Sequence, residues 1–511
     1  MMRTRTLYRP GVAILLLAAA LGSPAAMAQP TGTFTAIAGM STPRSNHTAT
    51  LLLDGRVLIA GGDNYGSTSF QTRPSTAELY DPANGTFTPT GNMTVGRSWH
   101  TATLLSDGRV LIVGGDSDIP EDPSQPAMIT SAELYDPAAQ SFTATGNMVA
   151  GRAGFNATLL ANGKVLITGG VARYRDFDCI IGGAELYDPS TGAFMSAGPY
   201  AGSLSSLVGP LEGFTSTSTL LADGTVLFGT EPSSQVYDSV TGTFSLRGAM
   251  VTGMGLPYLA GRTATLLPNG KVLAAGGEQE DTGRFDSAEL YDPSTGAYTA
   301  TGVMARARDG HTATPLPDAT VLMAGGESQS CSANFCAFSG SEASAELYGP
   351  AAGAFGSAGN MTTRREWHTA TLLSSGDILL AGGMAYGGIG VFYGSLATAE
   401  IYHPASPSPA PDVGAVWHSE TGQLASAQNP AIAGEILSMD TSGLPDGSVI
   451  PPRVAVGGRL AEILYFGGAP GYPEYHQVNF RMPAGVAPGP AVSMRLFYLD
   501  RSSNPVTIGV K

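Results

Sequence analysis

Charged side chains are scarce in this chain. Lysine and arginine (26) together with aspartate and glutamate (41) make up 13% of its 511 residues. Helical bundles and coiled coils need charged solvent faces and long runs of helix formers, so this composition, with 68 glycines, argues against both. The net charge is −15 and no basic cluster is present, which argues against a nucleic-acid partner because phosphate binding needs concentrated Lys and Arg.

Cysteine is also rare, with three residues in the whole chain. Cys331 and Cys336 lie close together in the segment CSANFC, and in an exported protein this spacing predicts one small disulfide-closed loop. Cys179 has no obvious partner, and between a buried free thiol and a reactive one we favour the buried thiol.

Long apolar runs are absent after the first 28 residues. Residues 1–28 carry Arg3, Arg5 and Arg9, an apolar stretch and a small-residue end at Ala28, which is the layout of a secretory signal peptide. The apolar stretch is too short to span a bilayer as a stable helix. We therefore expect a secreted or periplasmic monomer without a membrane span.

What the chain does contain is a repeat of about 50 residues. Each unit reads H-T-A-T-L-L, D-G-R-V-L-I-x-G-G, a variable stretch, S-A-E-L-Y-D-P and G-x-F-T-x-T-G-N-M. The seven units begin near Met40, Met93, Met148, Tyr200, Met250, Met304 and Met361.

Turn residues divide each unit into four strands. Asp54-Gly55 and its equivalents separate the first two strands, and such dipeptides favour a two-residue hairpin turn. D-P-x-x-G joins the last two strands, because Pro presets φ, Asp bonds the turn backbone and Gly takes a left-handed position. Each unit is thus predicted to be a four-stranded antiparallel meander, and seven of them arranged radially would cover one another's faces.

The two ends of the repeat region complement each other. The seventh unit stops after its third strand, whereas residues 32–39 have the pattern of the missing fourth strand. We predict that this N-terminal strand completes the last sheet, placing Phe34 beside the stretch 399–402 and removing the free edge that invites aggregation.

The repeated double glycine, Tyr and aromatic residues resemble those of secreted bacterial kelch-repeat proteins, in particular the galactose oxidase-type propeller. The resemblance implies an all-β fold with a seven-bladed propeller at 29–403. A Pro-rich linker follows at 404–411, and 412–511 resembles an Ig-like (IPT/TIG-type) β-sandwich. Because kelch propellers serve as enzymes, scaffolds and binding platforms alike, the fold does not fix the function.

One rim of the predicted propeller carries the variable loops, and binding residues usually lie on such loops. Their aromatic and arginine side chains suit a glycan or a protein surface, although they could also serve to cap the ring. The candidate ligand-binding residues are Tyr65, Phe70, Arg73, Tyr174, Arg175, Phe335, Tyr386, Phe392, Tyr393, Trp99 and Trp367.

The motif R-x-x-H precedes the first strand in units one, two, six and seven, ending at His47, His100, His311 and His368. Neutral imidazole binds Cu or Zn, so these residues could be ligands. We favour a structural role, in which each His bonds across the junction between blades. The strand-three glutamates, such as Glu78, would then neutralise the buried crossover arginine of an adjacent blade.

The resemblance also offers an alternative function, copper-dependent alcohol oxidation. The family's copper site has a Tyr-His pair, where this chain has Trp367 and His368, and a further His for which His418 or His476 would be candidates. Trp367 has no phenol, and Cys179 lies after a second-strand hairpin and not before one, so the radical site is incomplete. His368 and His476 are accordingly weak metal candidates.

No HExxH, CxxC, G-x-S-x-G or phosphate-binding glycine loop is present. A glycoside hydrolase with two facing carboxylates stays conceivable, but the sequence selects no pair. The prediction is therefore a non-catalytic module without a cofactor that binds extracellular glycan or protein, with the copper oxidase as its alternative.

Overall fold

The computed structural model describes residues 32–66, 71–118, 128–174, 177–199, 217–230, 233–251, 261–279, 283–332, 335–387, 392–405, 410–444, 450–470, 472–499 and 501–511. All regular secondary structure in these ranges is β, and no helix long and apolar enough to cross a membrane occurs in them. The predicted signal peptide lies outside the described residues.

Up to residue 403 the described strands form seven antiparallel sheets, numbered 1 to 7 in chain order. The N-terminal strand is β1 (Thr33–Ile37). Sheet 1 and its loop hairpin comprise β2 (Thr48–Leu51), β3 (Val57–Ala60), β4 (Asn64–Tyr65), β5 (Gln71–Thr72), β6 (Ala77–Asp81) and β7 (Thr86–Pro89). Sheet 2 comprises β8 (Thr101–Leu104), β9 (Val110–Val113), β10 (Ala132–Asp136) and β11 (Ser141–Ala144). Sheet 3 comprises β12 (Ala153–Leu159), β13 (Val165–Tyr174), β14 (Phe177–Ile180), β15 (Gly183–Asp188) and β16 (Ala193–Pro199). Sheet 4 comprises β17 (Ser218–Leu220), β18 (Val226–Thr230), β19 (Ser233–Asp238) and β20 (Thr243–Ala249).

The remaining three sheets each have a loop hairpin between their second and third strands. Sheet 5 comprises β21 (Thr263–Leu266), β22 (Val272–Ala275), β25 (Ala288–Asp292) and β26 (Ala297–Ala300), with the hairpin β23 (Glu278–Gln279) and β24 (Gly283–Arg284). Sheet 6 comprises β27 (Thr312–Pro315), β28 (Val321–Ala324), β31 (Ser344–Gly349) and β32 (Ala354–Asn360), with β29 (Glu327–Ser332) and β30 (Phe335–Ser341). Sheet 7 comprises β33 (Thr369–Leu372), β34 (Ile378–Ala381) and β37 (Ala399–His403), with β35 (Met384–Tyr386) and β36 (Phe392–Ser395).

The N-terminal strand completes sheet 7, as the sequence predicts. β1 pairs antiparallel with β37, Phe34 lies opposite Tyr402, and their ring centroids are 4.8 Å apart. The first strands of the sheets also contact one another in a closed cycle, in the order β2, β8, β12, β17, β21, β27, β33 and back to β2. This arrangement is consistent with a β-propeller.

Hydrophobic cores lie between neighbouring sheets. Leu58 and Leu79 of sheet 1, for example, pack against Val110 and Ile112 of sheet 2, and all four are buried. Burying one such side chain stabilises a fold by about 1.5–3 kcal/mol. Neighbouring sheets cover both faces of each sheet, so the variable residues lie mainly in the loops at the two ends of the strands.

The turns agree with the sequence prediction in one case and differ in the other. In the turn after β6, Gly85 N donates to Asp81 O at 2.9 Å with Gly85 at φ 68°, as predicted. After β2 the loop is one residue longer than predicted. Leu52 N donates to Arg56 O at 2.8 Å, and within the loop so closed Gly55 alone has a positive φ, 92°. A two-residue type I′ turn would need positive φ at both Asp54 and Gly55, so the loop is of the three-residue type that ends in a left-handed glycine.

Buried arginine and glutamate pairs recur in the sheets, at 2.7 to 2.9 Å. The pairs are Arg44 with Glu78, Arg97 with Glu133, Arg152 with Glu185, Arg308 with Glu346 and Arg365 with Glu400. The predicted partner type is confirmed, but the Arg belongs to the crossover entering the same sheet and not to an adjacent blade. The same glutamates also accept hydrogen bonds from the crossover backbone, as Glu78 does from Ser41 N and Glu133 from Thr94 N, both at 2.8 Å, so each glutamate holds the crossover that enters its own sheet.

The C-terminal region has its own core. Its strands are β38 (Asp412–His418), β39 (Ile436–Ser442), β40 (Arg453–Val456), β41 (Arg459–Leu460), β42 (Glu462–Ala469), β43 (Tyr472–Arg481), β44 (Gly489–Tyr498), β45 (Arg501–Ser502) and β46 (Val506–Val510). They form two sheets whose buried side chains, among them Met439 and Leu496, make one cluster.

This region adjoins the end of the propeller that carries the short turns. Leu460 N donates to Ser106 O at 2.6 Å, and Arg453 lines an axial cavity of about 300 Å³ together with first-strand residues such as Leu51 and Leu104. The loop hairpins lie at the opposite end of the strands.

Candidate functional site

Besides Gly261 of sheet 5 (φ 63°), five residues at the loop end share one position in the repeat and one unusual backbone conformation. Each lies two residues before the T-A-T-L segment of the first strand or its equivalent, and φ is 52° at Asn46, 54° at Trp99, 63° at Gly154, 58° at Gly310 and 51° at Trp367. A left-handed conformation costs a residue other than glycine about 1–2 kcal/mol, and such strain is often found at functional sites. We call these five residues the axial mouth.

Backbone hydrogen bonds link the axial mouth into one chain across five sheets. Trp367 N donates to Gly310 O (2.9 Å), Asn46 N to Trp367 O (3.1 Å), Trp99 N to Asn46 O (3.2 Å) and Gly154 N to Trp99 O (2.9 Å). The backbone at this end of the axis is therefore fixed by neighbouring sheets, which holds the side chains that project from it.

Two indole rings meet in the axial mouth. The ring centroids of Trp99 and Trp367 are 5.0 Å apart with an interplanar angle of 62°, an edge-to-face contact. Trp367 also packs on Gly310, where an added Cβ would lie 2.8 Å from its ring. Both rings are half-buried, so part of each indole surface is accessible to a ligand.

The four histidines of the R-x-x-H motif lie beneath this layer. Each Nε2 is paired with a threonine hydroxyl of the preceding sheet at 3.0 to 3.1 Å, as His47 is with Thr369 and His368 with Thr312. Burial, with Arg44 and Arg365 nearby, lowers the pKa of His47 to about 3. The imidazoles are therefore neutral and take part in bonds across the sheet junctions, the structural arrangement that the sequence analysis favours.

Carboxylates surround one side of the axial mouth. Arg284 on β24 pairs with Glu278 at 2.9 Å, with Glu327 at 2.5 Å and with Asp309 through its Nε. One carboxylate oxygen from each of the three acids lies within 4.8 Å of the other two. We call Glu278, Asp309 and Glu327 the acidic cluster.

A fourth carboxylate, Glu366, belongs to the same surroundings. It is 1% exposed, its Oε2 has no hydrogen-bond partner among the described residues, and burial followed by repulsion from Glu327 and Asp309 raises its pKa well above the ordinary value. Burial also raises the pKa of Asp309 to about 6 and that of Glu327 to about 7, despite the attraction of Arg284. One guanidinium is thus not enough to compensate these carboxylates.

Sheets 1 and 2 carry a second arginine with three acids. Arg73 pairs with Asp116 at 2.6 Å, with Asp118 at 2.7 Å and with Asp63 at 3.5 Å. Neutral donors also serve Asp63, since Asn46 Nδ2 donates to it at 3.0 Å and Gln71 Nε2 at 2.6 Å. This group is hydrogen-bonded more fully than the acidic cluster.

The predicted rim residues fall into two groups. Tyr65 and Tyr386 are half-buried on β4 and β35, and their backbone N–H groups donate to Ser395 Oγ (3.0 Å) and Ser341 Oγ (2.9 Å). Tyr393 on β36 is 61% exposed. Trp99 and Trp367 are the pair that the structure brings together, and Arg73 lies beside them through Asp63 and Asn46.

Other predicted residues cannot be placed in the site. Phe70 and Arg175 lie outside the described residues, as do the side chains of Tyr174, Phe335, Phe392 and Cys179. Cys331 and Cys336 are directly opposite each other in the β29–β30 ladder, a register compatible with the disulfide, which stays a prediction because their side chains are not described.

The sequence analysis missed the acidic cluster and Glu366. Their signal lay in two repeat positions, the residue after the double glycine (Glu278 and Glu327) and the residue after the crossover arginine (Asp309 and Glu366). The backbone of Asp309 bridges to that of Glu327 within one sheet, which brings the two positions together. The acidic residues were interpreted as turn and strand-three residues, so the proximity of these two positions was not predicted.

A copper-radical site does not fit the residues present. Trp367 cannot supply a phenolate, and Nε2 of His368 is bound to Thr312. His418 contacts Glu435 and Asn429 O (3.0 Å) within the C-terminal region, and His476 lies there on β43. In the described part of the chain the only group of three potential His, Cys, Asp or Glu metal ligands is the acidic cluster, and its oxygen donors favour hard cations over copper.

Comparison with known proteins bears on the fold. No protein-family model matches the chain, and no curated protein matches it either. Among solved structures, the chain is similar to a fungal alcohol oxidase of the AA5 family, in complex with copper, with a TM-score of 0.61 and 14% identity over 94% of this chain and 100% of that one. At this identity the likeness shows the fold alone, and it supports a galactose oxidase-type fold.

Proposed function

We propose that the protein is an exported seven-bladed propeller of the kelch type, with a C-terminal Ig-like β-sandwich, that binds an extracellular glycan at the axial mouth. The seven described sheets with their closed cycle of first strands support the blade count, and the two sheets around one core support the sandwich. Residues 29–403, 404–411 and 412–511 are the proposed propeller, linker and sandwich. Residues 1–28 are the proposed signal peptide, and N-terminal sequencing of the exported protein should begin at Gln29.

The observation that carries the binding function is the contact between Trp99 and Trp367. Half-buried aromatic rings offer flat apolar surface, and the nearby carboxylates and the amide of Asn46 can pair with hydroxyl groups. A sugar has both features, a ring face with C–H groups and a polar edge. A protein partner would need a wider surface than this small mouth, so we favour a glycan.

The test removes one ring without disturbing the backbone. Glycine occupies the position of Trp367 in sheets 3 and 6, as Gly154 and Gly310, so Trp367→Gly and Trp99→Gly keep the left-handed conformation. On a glycan panel the wild type should bind, and each variant should bind at least about 30-fold more weakly, the size typical of a central tryptophan contact. Trp417→Phe in the C-terminal region is the control and should leave binding unchanged.

Two results would refute glycan binding at the mouth. One is the absence of binding to every member of the panel, together with capture of a protein by the wild type but not by Trp367→Gly, which would indicate a protein ligand. The other is glycan binding that both tryptophan variants retain, which would show that the glycan binds outside the axial mouth.

The second candidate is copper-dependent alcohol oxidation, supported by the fold shared with the fungal alcohol oxidase. Incubating the purified protein with copper and measuring retained metal and peroxide formed from simple alcohols tests it. Stoichiometric copper with turnover would replace the binding function. The ligand set described above leads us to expect neither.

A further inference from the structure

The acidic cluster has the spacing of ligands around one ion. Its three carboxylate oxygens, from Glu278, Asp309 and Glu327, lie within 4.8 Å of one another. Ca²⁺ binds oxygen at about 2.3–2.6 Å, so two oxygens on the same ion are separated by at most about 5 Å. The three oxygens can therefore reach one Ca²⁺ with small side-chain movements.

Glu366 provides an independent indication of a missing positive partner. Glu366 is 1% exposed and is repelled by Glu327, and Ser341 hydrogen-bonds its carboxyl group, yet Oε2 has no partner in the described part of the chain. A buried carboxylate oxygen without a donor is costly, and native proteins nearly always supply one. A cation placed between Glu327 and Glu366 would serve this oxygen.

Carboxyl groups outnumber guanidinium groups in this region. Arg284 pairs with all three residues of the acidic cluster, and Glu366 is a fourth carboxyl group near them. Arg284 is on the short strand β24 at the tip of a loop hairpin, so its side chain can leave the cluster while the sheet stays in place. The Arg284 guanidinium and an added cation would therefore compete for the same position.

We propose that Glu278, Asp309 and Glu327 form a Ca²⁺ site at the loop ends of sheets 5 and 6, with Glu366 of sheet 7 moving toward the ion as a fourth carboxylate and Arg284 displaced outward when the ion binds. The donors are all carboxylate oxygens, which suits a hard cation with flexible coordination such as Ca²⁺ and disfavours Zn²⁺ and Cu²⁺. The ion would sit next to Trp367, because Glu366 precedes it in the chain. This site adjoins the proposed glycan contacts, but Ca²⁺ binding does not require a glycan.

The Arg73 group supplies the internal comparison. It also has three acids around one arginine, but Asn46 and Gln71 donate to Asp63, and the backbone N–H of Arg73 donates to Asp118 at 2.7 Å. No buried acid corresponding to Glu366 stands beside it, because Ser45 and Ser98 occupy that repeat position in sheets 1 and 2. We therefore expect no tight Ca²⁺ binding there.

The experiment is calorimetric titration of the EDTA-treated protein with CaCl₂. The wild type should bind one Ca²⁺, and its melting temperature should rise when Ca²⁺ is added. Glu327→Gln and Glu366→Gln, which keep the side-chain shape, should each weaken binding by about tenfold or more because affinity follows the number of charged ligands. Arg284→Gln should bind Ca²⁺ more tightly than the wild type, and the control Asp118→Asn should bind as the wild type does.

Terbium luminescence gives a second reading that does not depend on variants. Tb³⁺ is a luminescent substitute for Ca²⁺, and its emission should be sensitised by the neighbouring indole of Trp367 and abolished by excess Ca²⁺. No saturable Ca²⁺ binding by the wild type would overturn the proposal. So would binding that survives in both glutamine variants, binding lost in Asp118→Asn alone, or binding abolished by Arg284→Gln.

Discussion

Arg365 Nη2 donates to Glu400 Oε1 at 2.8 Å, and both side chains are buried inside sheet 7. The same carboxylate accepts hydrogen bonds from the backbone N–H groups of Thr362 (2.6 Å) and Thr363 (3.0 Å). One glutamate therefore fixes both the arginine and the backbone of the crossover that leads to the axial mouth. Four other sheets contain the same pair.

Breaking this pair should be strongly destabilising. Glu400→Gln removes the negative charge and leaves Arg365 buried without compensation, so we expect the free energy of unfolding in urea to fall by about 3–5 kcal/mol. The matched control is Glu462→Gln, which breaks the exposed pair with Arg481 and should cost less than about 1 kcal/mol. Equal losses in the two variants would show that burial does not determine the strength of the pair.

Acid should unfold the protein partly through its buried histidines. Burial, with nearby arginines, lowers the pKa of His47 and His311 to about 3 from 6.5. The folded state thus binds fewer protons than the unfolded state between pH 6.5 and about 3. Their stabilising contribution is complete above pH 6.5 and is lost as the pH falls through this window, by about 1.4 kcal/mol per pH unit for each histidine.

The histidine prediction is checked by urea unfolding at several pH values. His311→Gln should make the decline in stability between pH 6.5 and 4 less steep by about one proton per molecule. Thr314→Val replaces a buried polar residue that does not titrate; it is the control and should keep the wild-type slope. An unchanged slope in His311→Gln would mean that this imidazole is protonated in the folded state.

The double glycines should tolerate no side chain. A Cβ at Gly382 would lie 2.4 Å from the carbonyl oxygen of Arg44 and 2.7 Å from Cε1 of His47, at φ 63°. We expect Gly382→Ala to cost more than about 3 kcal/mol, since backbone strain and overpacking add. Gly85→Ala is the comparison, because Gly85 has φ 68° but an added Cβ would have no atom within 4 Å, so only backbone strain is introduced. Its free energy of unfolding should fall by about 1 kcal/mol in the same chemical denaturation. Similar losses would indicate that the sheet junction can relax around the extra methyl group.

Removing β1 should make the protein associate with other copies of itself. Without residues 1–37, the edge of β37 has unpaired N–H and C=O groups that can pair with another copy. Light scattering should show dimers or larger species, whereas a chain lacking residues 1–28 alone should stay monomeric. A monomeric, stable 38–511 protein would show that the last sheet does not need this strand.

The features that repeat could be predicted from the sequence. Phe34 was placed beside β37 because the seventh unit lacks a strand, and the buried Arg44 and Glu78 pair followed from the need to neutralise a repeated glutamate. The structural role of His368 likewise followed from its position at the start of a strand. These predictions rest on the repeat pattern, so several units of the sequence support each of them.

The features that vary could not be predicted in this way. Asp309 and Glu366 stand where units one and two have Ser45 and Ser98, and the proximity of these acids to Glu327 depends on how the loop of one sheet reaches over the next. The loop after β2 was misjudged for a related reason, since Asp54-Gly55 fits both a two-residue and a three-residue turn. The hydrogen bond between Leu52 and Arg56 identifies the three-residue turn. This bond depends on the register in which β2 and β3 pair, which the sequence does not show.

Pairing between β1 and β37 also has a temporal consequence. The ribosome makes Phe34 before, and Tyr402 after, the other described strands of the seven sheets, so β1 must wait unpaired while those strands are synthesised. If the chain is exported, that wait would extend through translocation, and the ring would close as a late step outside the cytoplasm. Contacts between residues so distant in sequence form slowly. Pairing of β1 with β37 therefore limits the rate at which the free edge of sheet 7 is covered and can no longer pair with another chain.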